Sequence, residues 1–367
     1  MNAERKLTAS TEGEPLLVVD NLRTQFFTPR GTVTAVDGVS FTLERGTTLG
    51  VVGESGSGKT VLSRSIMNLL PSRNVKRTGS VKFAGKEILN LSDKDMRHVW
   101  GKDLAMVFQD PMTSLNPVMK VGKQITESLL LHLDVSKEEA RDTAISLLRS
   151  VKIPEPEKRF DEYPHQLSGG MRQRVMIAVA LACGPRLLFA DEPTTALDVT
   201  VQSQILNLLQ EQQLERHMAM ILVTHDLGVV AGRADRIAVM YGGRLVETAP
   251  TTTLFDEMRH PYTEALMRAI PRLEHQSHQR LQAIGGRPPD LVDPPKGCAF
   301  APRCPRVQER CLHERPELRL GAEGHQYACH FPVGTPEGDE ALEKNLSAGL
   351  PQAVEAMAGV PVSIDAG

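Results

Sequence analysis

Short continuous apolar runs alternate along most of the chain with stretches in which apolar positions recur every three or four residues. The runs Thr48 to Val52, Leu187 to Ala190 and Met220 to Val223 are rich in Val, Ile and Leu, the pattern of parallel strands buried on both faces. Behind the first run, Val61, Leu62, Ile66, Leu69 and Leu70 fall at helical spacing and Pro71 follows, predicting a helix that ends at the proline. Strands alternating with helices predict an α/β domain, placed at 16–259. From Pro111 to Ala182 the pattern turns helical, with Ile125, Leu129 and Leu130, then Ala144, Leu147, Leu148 and Val151, so a helical subdomain is predicted as an insertion over about 110–182. After His260, Pro288, Pro289, Pro294, Pro295 and Pro302 crowd together, predicting a separate, small, loop-rich C-terminal module over 260–335. Residues 1–15 are polar and aperiodic, and 336–367 are rich in Ala, Gly, Glu and Pro. Both ends are expected to be disordered or flexible.

Composition narrows the classes. The 367 residues are 41% hydrophobic and 24% charged, enough to bury a full core. A net charge of −3 leaves no basic excess to neutralise a nucleic-acid backbone, and no nucleic acid is expected as partner. Apolar runs such as Val175 to Cys183 fall short of the roughly 20 residues that span a bilayer. The first 15 residues carry neither an apolar core nor a cleavage-site pattern, so a cytosolic chain is expected. Cys183 stands alone in an apolar segment and is expected to act as a small buried hydrophobe.

The chemistry begins at Gly53, Glu54, Ser55, Gly56, Ser57, Gly58, Lys59 and Thr60, which fit GxxxxGK[ST] between a predicted strand and a predicted helix. The glycines let backbone N–H groups turn toward phosphate oxygens at a helix N-terminus. Lys59 is placed to neutralise the β and γ phosphates, and the Thr60 hydroxyl to ligate Mg²⁺. Asp191 and Glu192 close the second strand. Asp191 is expected to hold magnesium and Glu192 to act as general base on the attacking water. ATP and Mg²⁺ are the implied ligands.

Leu167-Ser-Gly-Gly-Met-Arg-Gln-Arg174 distinguishes among proteins with such a loop, since it resembles the signature of ATP-binding cassette (ABC) proteins. That resemblance implies a P-loop NTPase (RecA-like) core with the inserted helical subdomain. It implies further that Gln109, in MVFQDPMTSLNP, is the glutamine that senses the γ phosphate and metal. Ala196-Leu-Asp198 resembles the D-loop and His225, in ILVTHDLGVV, the switch histidine. Thr194 joins the ATP-contacting set, and Phe26, or its neighbour Phe27, is the candidate for adenine stacking. In this family the active unit is a head-to-tail dimer, so Ser168, Gly169, Gly170 and Asp198 are expected to clamp ATP bound to a partner subunit. Lys59, Gln109, Glu192 and His225 form the catalytic set implied for the chain's own nucleotide.

Within that family GESGSGKT, QDPMTSLNP and HQLSGGMRQRVMIAVAL are most similar to the oligopeptide and dipeptide importers. His260-Pro-Tyr-Thr, Gly286-Arg-Pro-Pro-Asp-Leu and Gly297-Cys-Ala-Phe-Ala-Pro-Arg-Cys304 resemble their C-terminal extension. The implied partners are two integral membrane permease subunits, a second ATPase that is a paralogue, and, indirectly, an extracytoplasmic solute-binding protein, with the chain at the cytoplasmic face of the membrane. Importers of nickel or glutathione remain alternatives, as does an ATPase of a soluble assembly of the carbon–phosphorus lyase type. A chromosome-organising ATPase is disfavoured, because 132 positions from Lys59 to Asp191 leave no room for long coiled-coil arms. Cys298, Cys304, Cys311 and Cys329 are separated by five, six and seventeen residues, unlike the paired CxxC of a zinc ribbon. Four thiolates suit a [4Fe–4S] cluster, as the corresponding cysteines hold in some relatives; zinc and plain reduced thiols stay open.

Overall fold

A computed structural model describes residues 14–71, 73–195, 197–270 and 284–357. Nearly all of the 1–15 segment, Ala196 of the D-loop resemblance and the last ten residues therefore lie outside the described part. An antiparallel sheet combines β1 (Leu17–Thr28), β2 (Gly31–Leu43), β4 (Val75–Phe83) and β5 (Lys86–Glu87) in the order β2-β1-β4-β5. A larger sheet contains β3 (Thr48–Val52), β6 (Leu104–Val107), β7 (Leu187–Asp191), β8 (Ala219–Thr224), β9 (Arg236–Tyr241), β10 (Arg244–Pro250), β11 (Arg319–Leu320) and β12 (Gln326–Tyr327). Its order is β11-β12-β10-β9-β3-β8-β7-β6, parallel from β9 to β6 and antiparallel from β9 outward through β11.

The three continuous apolar runs are β3, β7 and β8, and every residue in them is buried. Successive side chains point to opposite faces, and two cores divide them. Leu49, Val51, Leu187, Phe189, Ile221 and Val223 pack toward the antiparallel sheet. Val52, Leu188, Ala190, Met220 and Leu222 pack toward the helices.

Helix α1 (Lys59–Ile66) follows β3 but stops four residues before the predicted end at Leu70. Asn68 turns left-handed, at φ 57°, and its amide donates to the Leu91 carbonyl at 3.1 Å, so the last apolar pair leaves the helix axis. The inserted region holds α2 (Val121–His132), α3 (Lys137–Ser150) and α4 (Gly169–Leu181). α3 opens on a capping box, Ser136 with Glu139, which satisfies two otherwise orphaned backbone donors. The buried residues Ile125, Leu129, Ala144, Leu147, Leu148 and Val175 join these helices in one core. Cys183 lies just past α4, partly buried, with its thiol 3.4 Å from the Ser128 carbonyl.

Beyond α4 come α5 (Val199–Arg216), α6 (Leu227–Val230) and α7 (Pro261–Arg268). The C-terminal module is not separate. β12 pairs with β10, and β11 with β12, because β10 offers a free edge of backbone donors and acceptors that needs covering. The expectation of a flexible 336–367 tail needs correction over its first two thirds, where α8 (Pro336–Ser347) and α9 (Pro351–Met357) form. Pro336 sits at the first turn of α8 and the Thr335 hydroxyl caps the Gly338 N–H. The buried Asn345 amide then donates to the carbonyls of Pro305 and Val307, each at 2.9 Å. Composition predicts a flexible tail there; capping and one buried amide fix a helix.

Candidate ATP site

Four neighbouring parallel strands, β3, β8, β7 and β6, end side by side, and the candidate residues leave their carboxyl ends. The loop 53–58 follows β3, His225 follows β8, Asp191 ends β7, and Gln109 lies two residues past β6. In an open α/β sheet this end is where ligands bind.

The loop is shaped by contacts only glycine permits. A Cβ on Gly53 would lie 2.2 Å from the Met240 carbonyl oxygen. Gly58, at φ 102°, caps α1, and a Cβ there would lie 2.3 Å from the Ala35 oxygen. The loop thus packs against backbone of both sheets, β9 at Met240 and β2 at Ala35, and α1 begins directly after it. Ser55 and Gly56 at the tip are exposed. The Ser57 hydroxyl is buried without a hydrogen-bond partner among the described residues. Lys59 is buried, and its Nζ donates to the carbonyls of Gly53 at 2.6 Å and Glu54 at 2.9 Å. Burial lowers its pKa, opposed by the nearby carboxylates of Glu192, Asp191 and Glu54.

The Thr60 hydroxyl donates to Asp191 Oδ1 at 3.0 Å. Asp191 Oδ2 is buried and has no partner among the described residues, and burial raises the carboxyl's pKa. A hydroxyl and a carboxylate side by side, with one carboxylate oxygen unspent, form the oxygen donor set that suits Mg²⁺. Glu192 is held in left-handed backbone at φ 45°, the kind of local strain that concentrates at functional sites. Its N–H donates to the Val223 carbonyl at 2.9 Å. Three side chains converge on its carboxylate: Gln109 Nε2 at 2.9 Å, the Thr195 hydroxyl at 3.1 Å and His225 Nδ1 at 3.5 Å. The His225 imidazole is largely exposed. The Thr194 carbonyl accepts the Leu197 N–H in the turn that follows.

Ser168 caps α4 through its hydroxyl and Asp198 caps α5 through its carboxylate. These two starts adjoin: a Cβ on Gly169 would meet Leu197 at 3.9 Å and one on Gly170 would meet Val201 at 3.0 Å. Among the described residues, no hydrogen bond joins Ser168, Gly169, Gly170 or Asp198 to the chain's own phosphate loop. Phe26 and Phe27 lie near the end of β1, one half-buried and one exposed, and among the described residues no ring contact ties either to the loop.

Sequence reasoning missed four residues that shape the site. Thr195 orients Glu192, and its signal was the doubled threonine after the acidic pair. The buried Gln173 of α4 donates to the Pro193 carbonyl at 2.6 Å, linking the signature helix to the acidic strand. Tyr262 and Arg303 both reach Glu54 from the C-terminal module, and nothing in local spacing announces them.

Comparison with known proteins agrees with this geometry. Residues 36–195 match the family model described as ABC transporter, and 246–311 match the oligopeptide/dipeptide transporter C-terminal region. The chain is 51% identical to the oligopeptide transport ATP-binding protein OppD of Bacillus subtilis, over 84% of this chain and 87% of that one. It is 48% identical to the dipeptide transport ATP-binding protein DppD of Escherichia coli, over 87% and 97%. Among solved structures it is similar to a dimeric ATP-binding cassette in a post-hydrolysis state with ADP and phosphate. There the TM-score is 0.58 and identity 27%, over 64% of this chain and 98% of that one.

Proposed function

This chain belongs to the ABC transporter family of ATPases, and on that premise we propose that it energises an importer of oligopeptides or dipeptides. One observation carries the reading: the strand ends bring a phosphate loop, a metal-type oxygen pair and a triply held carboxylate to one place. Lys59 and the loop N–H groups bind the triphosphate; Thr60 and Asp191, with Gln109, would hold Mg²⁺, which would supply neutralisation of charge developing on the phosphates. Glu192 accepts a proton from the attacking water. Gln109, Thr195 and His225 fix its carboxylate, and His225 is exposed enough to turn toward a γ phosphate. Ser168, Gly169, Gly170 and Asp198, which make no hydrogen bond to the chain's own loop among the described residues, serve a partner's nucleotide, so the working unit is a head-to-tail dimer.

The second ATPase is a paralogue, and two permease subunits bind the helical subdomain. Phe108, Val118, Leu130 and Leu131 leave apolar surface exposed there, and among the described residues no helix is long and apolar enough to cross a membrane. On this reading the chain sits peripherally on the cytoplasmic face, with a solute-binding protein acting from the other side. Affinity purification from detergent-solubilised membranes is expected to recover two integral membrane proteins and one different cassette ATPase, and loss of the chain to abolish uptake of labelled di- to pentapeptides. Recovery of soluble enzymes instead would favour the carbon–phosphorus lyase type of assembly. Uptake of nickel or glutathione alone would reassign the cargo.

The four cysteines of the module line one small cavity with His260, Phe300 and Phe331. Among the described residues no three metal-binding side chains are grouped tightly enough for a single ion. The group proposed here is a [4Fe–4S] cluster, which Cys298, Cys304, Cys311 and Cys329 would hold by their thiolates. Burial pushes all four thiols up, Cys298 to about 11 and Cys329 to about 12, so binding must displace protons and tightens as pH rises. Protein purified without oxygen is expected to be brown, with about four iron and four sulfide per chain, and Cys304→Ser to lose both. A colourless chain with four alkylatable thiols, or one containing zinc, overturns this.

A further inference from the structure

Arg303 is buried, and its guanidinium has five N–H donors. All five find acceptors: Nε reaches the Gly285 carbonyl at 2.7 Å, Nη1 reaches Glu54 Oε2 at 2.6 Å and the Tyr241 hydroxyl at 3.2 Å, and Nη2 reaches Glu54 Oε1 at 2.9 Å and the Ile284 carbonyl at 3.0 Å. Among these partners only Glu54 is charged. Glu54 is the second residue of the phosphate loop, and its own N–H donates to Tyr262 at 2.7 Å. A carboxylate in a loop built for a triphosphate repels the ligand unless its charge is cancelled. A bidentate guanidinium cancels it and fixes its direction at once.

We propose that Arg303, with Tyr262, is a positioning residue of the ATP site, so that the C-terminal extension completes the phosphate loop by neutralising and aiming Glu54. The extension is thereby part of the catalytic unit. Arg303 ends the short turn Ala301–Arg303, whose first N–H donates to the Cys298 carbonyl at 3.1 Å, and Cys304 follows directly. The turn flanked by two of the four cysteines therefore carries the guanidinium.

The inference rests on reading the loop as an ATP site. MgATP binding to the full chain is the readout, with thermal unfolding alongside. Arg303→Met is expected to weaken MgATP about tenfold, by leaving Glu54 uncompensated. Adding Glu54→Gln is expected to restore affinity to within about threefold of wild type, a rescue that a merely structural arginine does not give. An Arg303→Met chain that folds and binds normally overturns the proposal, as does a double variant weaker than the single. Should Arg303→Met fail to fold, Arg303→Lys keeps the charge but loses the fork. About threefold weaker binding at an unchanged unfolding temperature then supports the role, and unchanged binding overturns it. A wild-type chain that binds no MgATP instead removes the underlying reading of the loop.

Discussion

Glu192→Gln is expected to cut ATP hydrolysis by about a hundredfold or more while MgATP binding stays near wild type. The substitution keeps the size of the side chain and lets Thr195 and Gln109 retain hydrogen bonds to the position. It removes only the oxygen that takes the proton, and a positioned general base contributes roughly a hundred- to ten-thousandfold. Steady-state phosphate release from the purified transporter, with nucleotide affinity measured on the same preparation, separates the two effects. Unchanged turnover would remove Glu192 from the chemistry, and a parallel loss of binding would make it a structural residue.

The second large effect is expected at Lys59→Met: MgATP affinity down by about a hundredfold or more, with stability held within about 2 kcal/mol of wild type. Lys59 is buried, and burial pulls its pKa down despite three nearby carboxylates. The sign means that the ammonium is a charge the fold tolerates rather than one that stabilises it. Methionine gives up two donors to the carbonyls of Gly53 and Glu54 but no longer desolvates a cation, and these changes oppose each other. Calorimetry of MgATP binding beside thermal unfolding decides. Retained binding would place the triphosphate elsewhere.

What could be read in the sequence follows from what kind of signal each residue leaves. The loop 53–60, the Asp191–Glu192 pair and His225 each sit beside a buried strand, so residue type and strand end occur within a few positions of one another. Gln109 lay in a stretch with no periodicity, and a family pattern located it where spacing had nothing to offer. Arg303 was invisible because its partner is 249 positions away and its neighbours mark it only as part of a cysteine-rich turn. The helices after 336 were read as a tail because Ala, Gly, Glu and Pro speak for low hydrophobicity, whereas Asn345 anchors them by hydrogen bonds that composition does not register. The end of α1 was misjudged for a related reason, since Asn68 breaks the helix with a contact to a residue 23 positions on.

The joint between β10 and the extension bears on how such chains recombine. Glu247, in β10, is fully buried and accepts the N–H groups of Arg259 and His260 and the His325 imidazole at 2.7 Å. Its three donors all come from beyond the strand. Two of those donors are backbone N–H groups, so a crossover that joined the cassette of one ATPase to the extension of another would take the buried anion from one parent and its one side-chain donor, His325, from the other. Unless the second parent also carried a histidine there, the hybrid would bury a carboxylate short of its one side-chain donor against the edge of the main sheet. Shuffling between paralogous ATPases is thus expected to cost least stability at breakpoints that leave Glu247 and His325 on the same side.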